Sequence, residues 1–270
     1  MPQFTSAIIV LALASAATYS LATLWLINNL AKQAPPSNAP IAIGCGAMLL
    51  HFCALFITGL DSGGLSSSFF DAVSLTALIV VAATIASQAS QRWLTLLIPV
   101  YLFAGLCVIF AALFGHHSPI NAGSAGLLLH IISSIVAYSI LCLAALYALV
   151  LFAADKSLRS GASGIWLQAL PPLQSLESHL FHLITLSWAI MSLAIISGGL
   201  SIDNVFEQHL VHKTVFTLIS WGLLSALLLG RRLHGWRGRT AARWTVGAFA
   251  ALVLAYFGSK FMLDIVLQRL

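Results

Sequence analysis

The residues of this chain best able to do chemistry are its histidines. There are nine of them in a sequence that is 60% hydrophobic and only 7% charged. An apolar chain has no structural need of imidazole, and an ionisable group inside a bilayer is costly. An intramembrane histidine is therefore read as a site until a simpler role is found for it. His130 begins a helical stripe continued by Ser134, Ala137 and Tyr138. His209 and His212, three residues apart, share one face of another apolar segment. His130 and His212 fall at comparable depths. Two imidazoles at one depth on neighbouring helices suit axial ligation of a haem iron. An apolar slot must then take the porphyrin, and polar groups such as Lys213 must meet its propionates. The same two rings would equally serve as interhelical hydrogen-bonding groups, and the spacing leaves both readings open.

Two further histidines lie deeper. His51 sits with Gly44, Ala47, Ala54 and Thr58 on a face of small and polar residues. His182 is followed on its face by Thr185, Ala189 and Ser192. Such faces point at other helices rather than lipid. His51 and His182 are candidates for a second ligand position on the inner half of the membrane, or for packed polar contacts. The rest read as peripheral: His116 and His117 in a loop, His179 at an interface, His234 in a basic turn. A zinc site from His116, His117 and His209 has no acceptable ligand spacing. No G-x-S-x-G, H-E-x-x-H or phosphate-loop pattern occurs, so no catalytic residue is assigned and the chain is not read as an enzyme. Asp61, Asp71, Asp203 and Glu207 fall at segment ends. Cys45, Cys53, Cys107 and Cys142 form no C-x-x-C pair and read as small buried apolar residues.

The elements that must position these groups follow from hydropathy. A mean hydropathy of +1.00 excludes an ordinary soluble domain. Eight apolar stretches are long enough to cross a bilayer: about 5–30, 41–60, 69–87, 93–114, 124–153, 176–200, 210–230 and 244–266. The connections are short, so residues 1–270 read as one integral-membrane domain, an all-α polytopic bundle. Alternating strand patterns are absent. The first segment carries no Lys or Arg before it and reads as a retained helix rather than a signal peptide. Lys32, Arg92, Lys156, Arg159, Arg231, Arg232, Arg237, Arg239 and Arg243 all lie in the connections after segments 1, 3, 5 and 7. The positive-inside rule makes those loops cytoplasmic and puts both termini outside. The net charge of +5 is then mostly a topology signal facing lipid headgroups, and no nucleic-acid partner is expected. Arg237 and Arg239 are expected to fix the cytoplasmic turn. The segment IWLQAL, with Trp166, reads as lying in the cytoplasmic interface.

At this point the residues match a known pattern. The segments GLLLHIISSIVAYSILCLAALYALVLF, LPPLQSLESHLFHLIT, HGWRGRTAARW and LAYFGSK resemble the cytochrome c assembly membrane family of the CcsA/HemX type, especially its short YpjD-like members. The likeness is carried by about 120–262, within a family-like core of about 41–267. The resemblance implies a bacterial inner-membrane, multi-pass protein that handles haem. In the haem-exporting members, outer-face histidines flank a tryptophan-rich WWD loop. His130 matches the first of those histidines, and His209 and His212 lie near the second. The corresponding loop here, SIDNVFEQHLVHK, contains no tryptophan. The likeness therefore implies the HemX/YpjD branch, with non-covalent b-type haem rather than covalent attachment. The implied partners are other cytochrome-biogenesis or haem-metabolism membrane proteins. Two other functions stand beside it: an accessory or regulatory membrane protein without haem, and a divalent-metal-handling transport protein.

Overall fold

Apolar segments become helices here because a hydrocarbon core offers backbone N–H and C=O groups no partner but each other. The computed structural model describes residues 5–33, 35, 37–64, 68–88, 93–115, 124–161, 167, 170–201 and 208–261, with backbone alone at 208–210 and 256–261. His116, His117, Trp166, Asp203, Glu207 and the side chain of His209 lie outside the described residues.

Among the described residues there are eight α-helices and no strand: α1 (Thr5–Ala31), α2 (Ala39–Ser62), α3 (Phe69–Ser87), α4 (Leu97–Phe114), α5 (Ala125–Arg159), α6 (Leu173–Ser201), α7 (Gln208–His234) and α8 (Arg239–Phe261). A short 3-10 turn, Leu94–Leu96, leads into α4. Within the described residues, seven helices, α1 to α7, are long and apolar enough to cross a membrane. Several helices outrun the apolar segments that announce them. α5 continues through Asp155 to Arg159, and α7 continues through Arg231 and Arg232 to His234. Hydropathy marks the thickness of lipid, whereas a helix ends only where its backbone is capped. The α7–α8 turn is such a place, with Gly235 at φ 66° and Gly238 at φ 58°, a region glycine enters without steric cost.

The chain forms two compact units, Met1–Asn121 with Gly164–Pro171 and Ala122–Ser163 with Pro172–Leu270. In the first unit α1 packs on α2 and α4, and α3 also packs on α2 and α4, which closes a ring of four helices. Its core is built from small residues, Ala12, Ala16, Ala47 and Ala54, around two fully buried tyrosines, Tyr19 and Tyr101. Small residues let helix backbones approach where no hydrophobic effect drives them together. In the second unit α5 packs on α6 and α8, and α7 on α8 and α6, again a four-helix ring. Large apolar side chains such as Val10, Leu13, Phe52, Leu186 and Leu229 point outward from the helices, as lipid permits.

Candidate functional site

The α5–α6 pair forms an antiparallel hairpin whose register can be followed along its length. Gly126 lies against Ser201, His130 against Ala194 and Gly198, Ala137 against Ser187, and Tyr147 against His179. His130 lies five residues into α5, about 7.5 Å along the axis. Ser124 caps that helix, its hydroxyl accepting from the N–H of Leu127 at 3.2 Å.

The His130 ring is half-buried, and its Nδ1 lies 2.7 Å from the carbonyl oxygen of Ala194. A carbonyl only accepts, so Nδ1 carries the proton in this contact. In the neutral ring Nε2 is then left with its lone pair. Gly198 makes the arrangement possible: a Cβ there would stand 2.6 Å from His130 Nδ1. Orientation of a histidine by a backbone carbonyl on one nitrogen is how proteins ready the other nitrogen for a metal.

His212 lies four residues into α7, about 6 Å along its axis, with an exposed side chain. It and His130 share a unit. α7 is tied to its neighbours by polar contacts lower down: Tyr138 of α5 hydrogen bonds with Thr217. Trp188 and Trp221 stack at 6.1 Å between ring centres. Trp188 Nε1 donates to Ser225 Oγ, and Trp221 Nε1 donates to Ser192 Oγ, both at 2.8 Å. This reciprocal clasp joins α6 to α7. The repeated Trp-x-x-x-Ser spacing on two helices was its signal in the sequence.

His51 belongs to the first unit and is wholly buried. The face expected for it, Gly44, Ala47, His51, Ala54 and Thr58, is the buried face of α2. Its Nε2 lies 2.8 Å from Ser74 Oγ on α3, and its ring meets Tyr19 of α1 edge-on. His182, in the second unit, differs from expectation. Its side chain is exposed, as are Thr185 and Ala189. α6 instead buries Phe181, Ile184, Ser187 and Met191, a bulkier stripe that fills the interior of its unit. His179 is half-buried against Tyr147, at 5.2 Å between ring centres. Among the described residues no group of three or more His, Cys, Asp or Glu side chains is placed to hold a metal ion.

The basic turn closes the other end of the second unit. Arg239 of α8 pairs with Asp155 of α5, which also binds Arg159 at 3.1 Å. Glu177 Oε2 accepts from the N–H of Gly238 at 2.9 Å. Trp236 folds back over Gly230, where a Cβ would overlap its ring. The expected role of Arg239 in fixing the turn has this physical form. Arg231, Arg232, Arg237 and Arg243 have exposed side chains.

The family model described as Cytochrome C assembly protein matches residues 42–267. The inner membrane protein YpjD of Escherichia coli strain K12 is 31% identical over 231 residues, covering 85% of this chain and 86% of that protein. An uncharacterized 28.8 kDa protein of Azospirillum brasilense, from the nifR3-like 5′ region, is 29% identical over 235 residues, covering 82% of this chain and 85% of its own. No solved structure matches. The chain belongs to the cytochrome c assembly protein family. With its apolar helices, it is a multi-pass inner-membrane protein.

Proposed function

We propose that this family member binds haem non-covalently through its second unit and acts in haem handling or cytochrome biogenesis rather than catalysis. His130 is the residue that would chiefly hold its iron, with His212 as its partner. The observation that supports this reading is the His130 ring itself, half-buried and pinned at Nδ1 by the Ala194 carbonyl, which in the neutral ring leaves the lone pair on Nε2. The donor chemistry fits haem iron, which takes neutral imidazole. When bound, the group would supply a redox-active iron, and the protein would hold and orient it. His51 and His182 fall in different units. The proposal is therefore centred on His130, and a second, inner position is not needed for it.

Topology belongs to the same reading. α8 spans 23 residues, about 34 Å of helix, enough for an eighth crossing. With the arginine-rich turn in the cytoplasm, both termini lie outside and His130 lies near the outer face.

The test is spectroscopic. Protein purified in mild detergent from haem-replete cells is expected to show a Soret band that shifts on reduction. In His130→Ala that band should fall to background at unchanged yield. Wild-type protein free of haem would refute the reading. The second reading, an accessory membrane protein without haem, is favoured by the exposed Arg231, Arg232 and Arg237 beside the cytoplasmic turn. Haem-free protein that co-purifies with a partner only while those arginines are present would establish it.

A further inference from the structure

The first unit holds polar groups that the haem proposal does not use. His51 is wholly enclosed, halfway along α2. One of its nitrogens meets Ser74, while the other, Nδ1, has no hydrogen-bond partner among the described residues. The hydroxyl of Tyr19, whose ring lies edge-on to His51 at 6.1 Å, is also buried without a partner among them. Buried polar atoms are nearly always satisfied, so two orphans on adjoining rings each call for a small polar partner.

These two residues belong to a longer file. On one side, Ser74 and Thr58 line a small cavity with Ile8, Ala12, Ala54 and Ala111. Asp71, also buried, stands one turn before Ser74 on α3. On the other side, Tyr19 lies 5.4 Å from Tyr101 between ring centres, and Tyr101 donates to the carbonyl of Pro40 at 3.1 Å. Gly44 leaves the space that Tyr101 occupies, since a Cβ there would overlap its hydroxyl. From Pro40 to Thr58 the file follows one face of α2 for about 27 Å, close to the thickness of a hydrocarbon core. The titratable groups around it are Tyr19 of α1, Cys45 of α2, Asp71 of α3, and Tyr101 and Cys107 of α4. Among the described residues no Lys or Arg side chain is buried.

We propose that the first unit carries a proton relay centred on His51, running between the cavity at Ser74 and the Pro40 end of α2. Water is the ligand it takes, one molecule joining the Tyr19 hydroxyl to His51 Nδ1. In one passage an N–H bond forms at Nδ1 as this water gives up a proton; the Tyr19 hydroxyl returns one to it and is reprotonated in turn by the Tyr101 hydroxyl, which takes its own from water at the Pro40 end of α2. The N–H bond at Nε2 breaks as Ser74 Oγ accepts that proton and releases its own hydroxyl proton to water in the cavity. The imidazole ends neutral in the opposite tautomer, and rotation or back-transfer resets it. No electrons move, and water is both source and sink. The tyrosine rings that interrupt the file make it a relay rather than an open channel.

The full-length protein in liposomes with entrapped pyranine provides the test. With valinomycin and potassium clamping the potential, an imposed pH gradient should decay at least tenfold faster than in protein-free liposomes. Tyr19→Phe keeps the ring against His51 and Tyr101 and removes only the hydroxyl, and it should return the rate to background. His51→Phe should do the same. Far-UV circular dichroism establishes that each variant is helical, and Tyr19→Phe decides the matter if His51→Phe fails to fold. Wild-type decay equal to protein-free liposomes overturns the proposal, as does a folded Tyr19→Phe that conducts like wild type. Haem content is read on the same samples and is independent of either result.

Discussion

The two four-helix units place the same side chain in opposite circumstances. His51 of the first unit is wholly enclosed in the middle of α2, whereas His130 of the second is half-buried near the start of α5. One ring is closed in by Tyr19 and Ser74, while the other is half-buried, with one nitrogen fixed by a carbonyl. Burial, not residue type, separates them. A ring with no approach can exchange only a proton or a water with its surroundings. A ring at a helix end, oriented from behind, can meet something as large as a porphyrin.

The comparison is broken most forcefully at Gly198. A Cβ placed there would stand 2.6 Å from His130 Nδ1, so Gly198→Val must push the ring off the Ala194 carbonyl. Overpacking of this kind costs about 1–3 kcal/mol. The expected outcome is a lower unfolding midpoint in detergent and loss of most bound haem. If Gly198→Val keeps full haem content, the carbonyl-fixed orientation of His130 is not what prepares the site.

A smaller effect is expected at the tryptophan clasp, which joins α6 to α7 below the histidines. Each indole N–H reaches a serine that sits four residues beyond the opposite indole. Replacing Trp188 and Trp221 by Phe, singly and together, defines a double-mutant cycle. Interhelical hydrogen bonds in membranes are worth about 0.6 kcal/mol on average, and stacking adds a similar amount. The double variant is expected to lose about 1–2 kcal/mol, measured by unfolding in mixed micelles. A double variant as stable as the parent would show that the two helices are held elsewhere. His212 rides on α7, so the double variant should also weaken haem retention more than it lowers helicity.

The positions of the helices were legible in the sequence because a bilayer imposes a length and a polarity on anything that crosses it. The buried face of α2 was legible too, since Gly44, Ala47, His51, Ala54 and Thr58 recur at helical spacing. What sits opposite that face was not. Tyr19 and Tyr101 come from helices 32 positions before and 50 positions after His51, and no periodicity pairs them. The partner of His130 is a backbone carbonyl, a group every residue carries, so no side-chain pattern announces it. The face of His182 was misleading because small polar residues can face outward when a bulkier stripe claims the interior. The closure into two rings of four was invisible as well, because uniformly apolar segments do not say which neighbours they choose.

The second unit also carries charged contacts at one end, and these bear on the smallest expected effect. Asp155 joins Arg239 and Arg159 at the end of α5 far from His130. The Asp155 side chain is 22% exposed and that of Arg239 36%, so water screens the pair. Asp155→Asn removes the charge and keeps the size. The loss should be only about 0.5–1 kcal/mol, shrinking further in high salt. Haem content should not change, since the altered contact lies about 25 residues, some seven turns, from His130. A variant that loses haem along with its ion pair would mean that the turn and the histidine end are mechanically coupled through α5. The second unit would then be a single lever, not a scaffold with two independent ends.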